Sequence, residues 1–432
     1  MTLAKHSLRV LALASLQFIP VLAGATNGYF AHGYGARSKA MAGAGAALPQ
    51  DAVASAVNPA GLVRVGDRLD VELELFSPRR NFTVSGEPTL APGAFPLNPG
   101  NFDSNEEYFP IPTLGWSKQL SDTQAVGVAL YGNGGMYTEF SPKANPICPP
   151  GSEGRGVFCA GRTGVDLAQV FIVPSFAQSF ADGRFSVGVA PILAAQYFKA
   201  RGFGSFAPFS ADPAQLSEQG RDYSFGGGFR VGVLAEPLQG LRFGVSYKSR
   251  IWMSKFNEYS GLFAEQGDFD IPDSYNIGVS WDISSRFTAA FDVEHIRYSE
   301  IKSVGNRLLP NLQQARLGDK NGAGFGWQDM TVYKLGLLWK PDDLWTLRGG
   351  VSYGDQPIPS SEVLFNITAP GVQQWHLTTG FSRKLWDSDE VSFAFMYSPK
   401  KSVKGVNPLS PGQTIELEMY QLSWQLAWSR SF

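Results

Sequence analysis

Residues 416–432 read ELEMYQLSWQLAWSRSF. From Tyr420 onward, large apolar side chains alternate with small or polar ones, and the segment ends in Phe432. Strict alternation predicts a β-strand with one apolar and one polar face. An alternating strand with a C-terminal Phe is the form that outer-membrane assembly machinery is expected to recognise. The segment therefore predicts a strand of a transmembrane β-barrel.

Composition narrows the class of protein further. The chain has 432 residues, of which 48 are Gly, 13% are aromatic and only 17% are charged, whereas about 25% is usual for charged residues. The 36 Lys and Arg nearly balance the 38 Asp and Glu, which argues against a broad basic surface for nucleic acid. No stretch of about 20 apolar residues follows the N-terminal segment. A secreted all-β protein or a transmembrane β-barrel remains.

The N-terminal residues predict export. Lys5 and Arg9 precede an apolar stretch over 10–21, and Ala23-Gly24-Ala25 has the small-x-small pattern that signal peptidase reads. We expect a signal peptide over 1–25, an N-terminal plug over 26–66 and the barrel over 67–432.

Alternating segments recur along the rest of the chain and predict fourteen strands, over 68–76, 108–120, 124–137, 166–181, 184–200, 222–236, 241–255, 272–283, 286–299, 327–340, 345–354, 374–385, 390–399 and 416–432. Their connections alternate between short turns and long loops, which is typical of outer-membrane barrels. In a soluble β-sandwich, short turns and long loops are not expected to be separated in this way. The predicted fold is an all-β, 14-stranded antiparallel transmembrane barrel.

Within the strands, the apolar phase predicts the lipid-facing side. Leu69, Val71 and Leu73 alternate with Asp70 and Glu72, so the carboxylates should face the lumen. Tryptophans near strand ends are expected in the aromatic girdles at the membrane interfaces. These are Trp116, Trp252, Trp281, Trp327 and Trp339.

Residues 26–66 are rich in Ala and Gly and lack alternation. Short helical turns are expected at 38–48 and 52–57. Since a barrel of fourteen strands encloses more space than its own side chains fill, we expect this segment to occupy the lumen as a plug.

Five stretches of the chain form a recognisable set: Gly35-Ala36-Arg37-Ser38-Lys39-Ala40 to Asn58-Pro59-Ala60, Leu241 to Ser249, Pro272-Asp273-Ser274, Gly326 to Asp329 and Leu347 to Tyr353. In this order they resemble the FadL family of outer-membrane transporters for long-chain fatty acids and other hydrophobic compounds. The first stretch is similar to the N-terminal hatch of that family. The resemblance implies uptake from an extracellular groove into an apolar pocket, and sideways release at a kink in the third strand.

In this chain the third predicted strand contains Gly132-Asn133-Gly134-Gly135. Glycine within a strand weakens pairing and often marks a bulge, so this run is the candidate gap; a flexible strand end at the rim is the alternative. Asn58 either hydrogen-bonds backbone at the gap or caps a turn before Pro59.

Candidate binding residues fall into an apolar and a cationic set. Phe171 and Val173 take the lumen phase of the fourth strand, where apolar side chains suggest a pocket. Loop residues Phe203, Phe206, Phe209, Leu216, Tyr259, Leu262 and Phe263 either line an outer groove or form a loop core. The lumen-phase cations Arg230, Lys248, Arg250, Lys334 and Arg348 either meet a substrate carboxylate or pair with Asp70, Glu72, Glu74, Asp292 and Glu294 to brace the hatch.

The two cysteines, Cys148 and Cys159, lie in a Pro/Gly-rich loop and are expected to form a disulfide, with no neighbouring ligands to complete a zinc site. His32, His295 and His376 are accompanied by no G-x-S-x-G motif. We therefore expect no catalytic residue, metal, cofactor or nucleotide, and a monomeric outer-membrane channel for long-chain fatty acids. The alternatives are aromatic-hydrocarbon uptake, a general diffusion porin or, with His295 as base, a lipase.

Overall fold

The computed structural model describes residues 26–91, 93–105 and 107–432. Fourteen strands form a closed antiparallel barrel, which confirms the predicted fold. In chain order the strands are β1 (Arg68–Gly86), β2 (Phe109–Ser121), β3 (Gln124–Tyr137), β4 (Gly164–Phe180), β5 (Phe185–Arg201), β6 (Asp222–Leu238), β7 (Leu241–Lys248), β8 (Ser274–Asp282), β9 (Phe287–Ile296), β10 (Met330–Trp339), β11 (Trp345–Gly354), β12 (Trp375–Lys384), β13 (Asp389–Val406) and β14 (Gln413–Ser431).

Sequential strands pair with one another, and β1 pairs with β14 from Arg68 opposite Ser431 to Gly86 opposite Gln413. Short turns lie at one rim and long loops at the other. Two further short strands, Gly100–Asp103 and Trp252–Met253, add to β1 and β6. The predicted signal peptide over 1–25 lies outside the described residues.

The helices are all short. The α-helices are Ala36–Lys39, Ala264–Gly267, Lys302–Gly305, Asn311–Gln314 and Val363–Asn366, and the 3₁₀ helices are Ala52–Ala56, Pro59–Arg64, Gly204–Phe209, Pro213–Gln215, Asn257–Tyr259, Tyr298–Glu300 and Ser360–Glu362. None of the helices in the described part of the chain has the length and apolar character of a membrane-spanning helix.

Strand bounds differ from the prediction mainly at the long-loop rim. β1 and β13 continue to Gly86 and Val406, because their ladders with β14 extend well above the membrane. β7 ends at Lys248 rather than at residue 255. There the Ser249 hydroxyl accepts a hydrogen bond from Phe229 N at 3.0 Å, which interrupts the regular ladder before Trp252–Met253 pairs with β6 again.

The division of faces follows the predicted phase. Leu73 is 56% exposed to the surrounding membrane, whereas Asp70 and Glu72 are buried in the lumen. Four of the five expected girdle tryptophans are exposed, but Trp327 is buried. Trp327 precedes β10 and points inward, where its Nε1 donates to Asn366 Oδ1 at 2.6 Å.

Residues 26–66 fill the lumen as a mostly buried hatch. Its first helix, Ala36–Lys39, ends near the start of the stretch 38–48 in which short helical turns are expected, and hydrogen-bonded turns follow it. The chain turns at Ala42 and Gly43, both of which have positive φ. Only glycine fits at residue 43, since a Cβ there would lie 1.8 Å from the His32 carbonyl oxygen.

Lumen-facing carboxylates hold the hatch by its backbone. Asp292 of β9 accepts hydrogen bonds from Gly45 N at 2.9 Å and Ala46 N at 2.8 Å. On β1, Glu72 accepts from Ala36 N at 2.8 Å and Asp70 accepts from Ala52 N at 2.9 Å. Glu74 of β1 pairs with Lys39.

We expect Asp292→Ala to loosen the hatch and raise ion conductance. The substitution removes two charge-assisted hydrogen bonds, each worth about 1.5–3 kcal/mol, while leaving the strand ladder intact. Single-channel recordings in planar bilayers should show larger or more frequent openings than wild type. Asp343→Ala, at an exposed turn, is the matched control. Equal conductance for the two variants would mean that these bonds do not hold the hatch in place.

Candidate functional site

The wall is interrupted between β2 and β3. Their ladder runs from Ser121 opposite Gln124 up to Leu114 opposite Leu130 and stops there. Above that point β2 pairs only with β1, up to Phe76 opposite Phe109, and β3 pairs only with β4. We call this interruption the seam.

A bulge at Asn133 lies beside the seam. Gly132 is opposite Val170 and Gly134 is opposite Gln169, so Asn133 has no partner in the ladder with β4. Its side chain bonds inward, with Nδ2 donating to Gln169 Oε1 at 2.9 Å and Oδ1 accepting from Tyr34 OH at 3.1 Å. The Gly132–Gly135 run picked out from the sequence therefore lies where the wall is broken.

The hatch supplies part of the partner that β3 lacks. Gly135 N donates to Tyr29 O at 2.9 Å, and Ala31 N donates to Asn133 O at 3.0 Å. This close approach requires glycine at residue 134, since a Cβ there would lie 1.8 Å from Tyr29 O. Hatch and wall are thus one hydrogen-bonded surface at this point.

Two small cavities flank this contact, each of about 20 Å³. That is roughly the space needed by one water molecule, so the seam is closed to any larger molecule in this structure. The first is lined on the wall side by Phe76, Ile111, Thr113, Gly132 and Gly134, and on the hatch side by residues 31–35.

Among the candidate cations, Lys248 is distinct. It is 1% exposed, and its Nζ lies 3.9 Å from the centroid of the Phe30 ring and 5.9 Å from that of Phe171. Its Nζ makes no hydrogen bond or ion pair with any residue in the described ranges. Cation–π contacts stabilise such a group only in part, and a buried charge without an anion costs free energy.

The other candidate cations all have partners. Arg230 Nη1 donates to Val57 O at 2.9 Å, and Arg348 Nε donates to Gln50 Oε1 at 2.8 Å, so both brace the hatch. Lys334 pairs with Glu294 at 2.7 Å within the wall. Arg250 lies beyond the end of β7 and pairs with Asp270 at 2.6 Å, so its predicted place in a lumen-facing strand is wrong.

The apolar candidates are buried together, with one exception. The Phe171 ring lies 5.8 Å from that of Tyr131, and Val173 is fully buried beside them in the same core. Loop residues Phe203, Phe206, Leu216, Tyr259, Leu262 and Phe263 also belong to this core. Phe209 does not, since it is 39% exposed. These contacts form a packed loop core rather than an open groove.

The Asn58-Pro59-Ala60 triplet lies away from the seam. Asn58 Oδ1 accepts from Ala60 N at 3.1 Å and so caps the helix that Pro59 begins. Its Nδ2 donates to Ala46 O at 2.8 Å and to Val233 O of β6 at 3.0 Å. The residue therefore acts as a cap and bonds wall backbone, but on β6 and not at the third strand.

Two of the histidines stack inside the lumen. The rings of His32 and His376 lie 5.7 Å apart and are nearly parallel. Burial lowers the pKa of His32 well below its usual range, and the charge of Lys39 lowers it further. His295 is partly exposed and contacts the Thr331 hydroxyl at 3.1 Å.

Sequence reasoning missed the aromatic residues of the hatch. The Tyr29 ring packs 5.2 Å from Phe30, 5.0 Å from Tyr298 and 5.8 Å from Trp327, and the backbone of Tyr29 bonds β3. Their presence in an otherwise Ala- and Gly-rich stretch was the available signal. Cys148 and Cys159, in the loop after β3, are bonded to each other, with Cα atoms 5.4 Å apart.

A closed barrel whose lumen is filled by a hatch and whose wall is interrupted has the architecture of an outer-membrane transport channel. Residues 22–421 match the model of the family described as outer membrane protein transport protein (OMPP1/FadL/TodX). The chain belongs to this family and is an outer-membrane protein. Its family is one of transport channels rather than enzymes.

Solved structures share the fold at low sequence identity. The Pseudomonas putida toluene transporter TodX is 16% identical with a TM-score of 0.66, covering 93% of this chain and 99% of TodX. A Pseudomonas aeruginosa FadL homologue is 14% identical with a TM-score of 0.66, covering 94% and 100%. The Ralstonia pickettii toluene transporter TbuX is 16% identical with a TM-score of 0.63, covering 93% and 99%. No curated protein matches the chain.

We expect Gly134→Ala to detach the start of the hatch from β3. The new Cβ overlaps the Tyr29 carbonyl oxygen, so the bond from Gly135 N must break. Hydrogen exchange at residues 29–31 and 133–135 should quicken by about fivefold, because a backbone hydrogen bond is worth about 1 kcal/mol and 1.4 kcal/mol corresponds to about tenfold. Gly349→Ala is the control, since its Cβ would meet its nearest neighbour at 3.8 Å. Unchanged exchange at residues 29–31 would contradict the assigned contact.

Proposed function

We propose that this chain is a passive channel for hydrophobic molecules, and that its cargo is a long-chain fatty acid released sideways at the seam. The observation that carries the choice of cargo is the buried amino group of Lys248, whose Nζ has no hydrogen bond or ion pair among the residues that the structure describes. Apolar and aromatic surface alone would suit any hydrophobic compound. A cation within that surface favours a molecule with an anionic head and an apolar tail.

The surroundings of Lys248 fit both parts of such a molecule. Phe30 and Phe171 present ring faces to the ammonium, and Tyr131 and Val173 extend the apolar wall. A carboxylate that reached Nζ would supply the missing counter-ion, and a charge-assisted hydrogen bond there is worth about 1.5–3 kcal/mol. Each methylene buried nearby adds about 0.8 kcal/mol.

Cargo binding requires the hatch to move. The cavities beside the seam hold about 20 Å³ each, which is far too small for an acyl chain. Phe30 lies directly over Lys248 and precedes Ala31, whose amide bonds β3. A displacement of residues 29–31 would therefore uncover the ammonium and the seam together.

Lys248→Met should weaken oleate binding by about 10- to 100-fold. The substitution keeps the length and apolar stem of the side chain but removes the charge, and 1.4 kcal/mol corresponds to tenfold in affinity. Binding of an alkylbenzene, which has no anionic head, should change by less than about twofold. Isothermal titration of the purified protein in detergent measures both.

The matched control is Lys320→Met, at an exposed loop position, which should leave both affinities unchanged. If Lys248→Met left oleate binding intact, the fatty-acid assignment would be wrong. Tight alkylbenzene binding with weak oleate binding by the wild type would instead favour aromatic-hydrocarbon uptake, as in the toluene transporters TodX and TbuX.

Sideways release is favoured by the chemistry of the cargo. A hydrophobic chain that left through an aqueous pore would give up the stabilisation gained from its buried methylenes, whereas an opening onto lipid would preserve it. Phe76, Ile111 and Gly132 give the seam an apolar side, next to the Lys39–Glu74 ion pair that lines the same cavity. A general diffusion porin, by comparison, needs an open lumen, and here the hatch occupies it.

Gly132→Phe should block release without abolishing binding. A Cβ at residue 132 would already lie 2.9 Å from Ile111 Cγ2, so a phenyl ring would fill the seam. Growth of a deletion strain on oleate should fall at least about tenfold when it carries this variant, whereas the oleate affinity of the purified protein should stay within about threefold.

Gly349→Phe, on the opposite part of the wall, serves as the control and should support growth. Normal growth with Gly132→Phe would rule out the seam as the exit. It would not affect the fatty-acid assignment, which the Lys248→Met experiment tests separately.

A further inference from the structure

A row of charged side chains lies on the outer surface of the barrel at the long-loop rim. The ladders place Tyr137 opposite Asp166, and Asp166 opposite Lys199. Two residues further along each strand, on the same face and towards the short-turn rim, the next row across the ladders contains Gly135, Ala168, Tyr197 and Tyr223. A charged row therefore follows directly on an aromatic one.

This arrangement places the charged row at the level of the lipid head groups. β4 has 17 residues, whereas about 9–11 tilted residues cross the hydrocarbon core, so the first residues of β4 extend beyond it. Tyr223 is 58% exposed on the lipid-facing side, as expected for the aromatic girdle. Long loops mark this rim as the extracellular one.

A cavity of about 200 Å³ opens within the charged row. Its lining includes Thr138, Glu139, Lys199, Arg201 and Arg221. It is ten times larger than either cavity at the seam, and unlike them its lining is dominated by charged side chains. It is separate from the Lys248 site, which lies inside the lumen.

Positive charge exceeds negative charge around this cavity. Arg201 pairs with Glu139 at 3.2 Å, and Arg162 pairs with the same carboxylate. Arg221 pairs with Asp166 at 3.0 Å, and its guanidinium also lies 4.4 Å from the centroid of the Tyr197 ring. The side chain of Lys199 makes no hydrogen bond or ion pair to any residue that the structure describes.

We infer that this cavity binds a phosphate group carried by a glycolipid of the outer leaflet. Arginine and lysine are the side chains that bind phosphate, and Lys199 is free to do so without breaking an existing pair. The bound group is part of a lipid because the cavity opens at head-group level. Directly below it, the exposed ring of Tyr223 offers an aromatic surface to sugar rings and acyl chains, whereas Ala168 and Tyr197 are buried.

Native mass spectrometry of the full chain in detergent, with added diphosphoryl lipid A, tests the inference. The variant Lys199→Gln/Arg221→Gln should retain at least about fivefold less lipid A than wild type. Lys199→Gln alone breaks no ion pair, so it tests the inference even when the double variant fails to fold. It should also retain less lipid A than wild type. The control is Arg286→Gln/Lys384→Gln, which removes the same charge at the opposite rim and should bind like wild type.

Two probes separate the possible sources of the phosphate. Dephosphorylated lipid A should be retained at least about fivefold less by the wild type, and inorganic phosphate at millimolar concentration should not displace diphosphoryl lipid A. Equal retention of the phosphorylated and dephosphorylated lipids would overturn the inference, as would wild-type retention by the folded Lys199→Gln protein. Displacement by inorganic phosphate would show a free-anion site and would equally contradict it.

Discussion

The hatch is irregular backbone at the depth of a membrane, and every polar group it carries needs a partner there. Non-helical backbone is tolerated at that depth only where protein or water satisfies it. In this barrel the wall does so with carboxylates: Asp292, Glu72 and Asp70 each accept from a hatch N–H at 2.8–2.9 Å. The alternation that sends Leu73 to lipid also turns Glu72 inward. The alternation of apolar and acidic residues therefore provides both the membrane-facing surface and the carboxylates that bind the hatch.

The seam extends this dependence from the hatch to the wall. Above Leu130, β3 has no bond to β2, and an exposed strand edge in hydrocarbon is costly. The Tyr29 carbonyl and the Ala31 amide satisfy two of these backbone groups from within. The hatch thus replaces part of a strand. Any movement of residues 29–31 changes the integrity of the wall at the same time, which couples the plug to the proposed exit without a separate signal.

The sequence predicted what depends on local periodicity and did not predict what depends on distant contacts. Strand β3 was placed correctly because alternation and short turns are local properties, and its glycines indicated a bulge. Within 38–48, where short helical turns are expected, the helix ends at Lys39, and composition does not report the close approach of Gly43 to His32 that follows. The position of Trp327 near a strand end predicts a place in the aromatic girdle. Its side chain instead points inward, because its indole N–H donates to the Asn366 side-chain oxygen. The isolation of Lys248 follows from how the other cations pair, which only the folded chain defines.

The strength of these contacts suggests which part of the hatch moves. The link between residues 29–31 and β3 rests on two neutral backbone hydrogen bonds, together about 1–3 kcal/mol. The bonds to Asp292, Glu72 and Asp70 involve carboxylates, which bond backbone N–H groups about twice as strongly. Burying a few methylenes at about 0.8 kcal/mol each would offset the first set but not the second. A ligand shifts an equilibrium only by its differential affinity, so cargo that displaced the start of the hatch would also have to replace the packing of the buried Tyr29 and Phe30 rings, while the carboxylate bonds would keep the rest anchored.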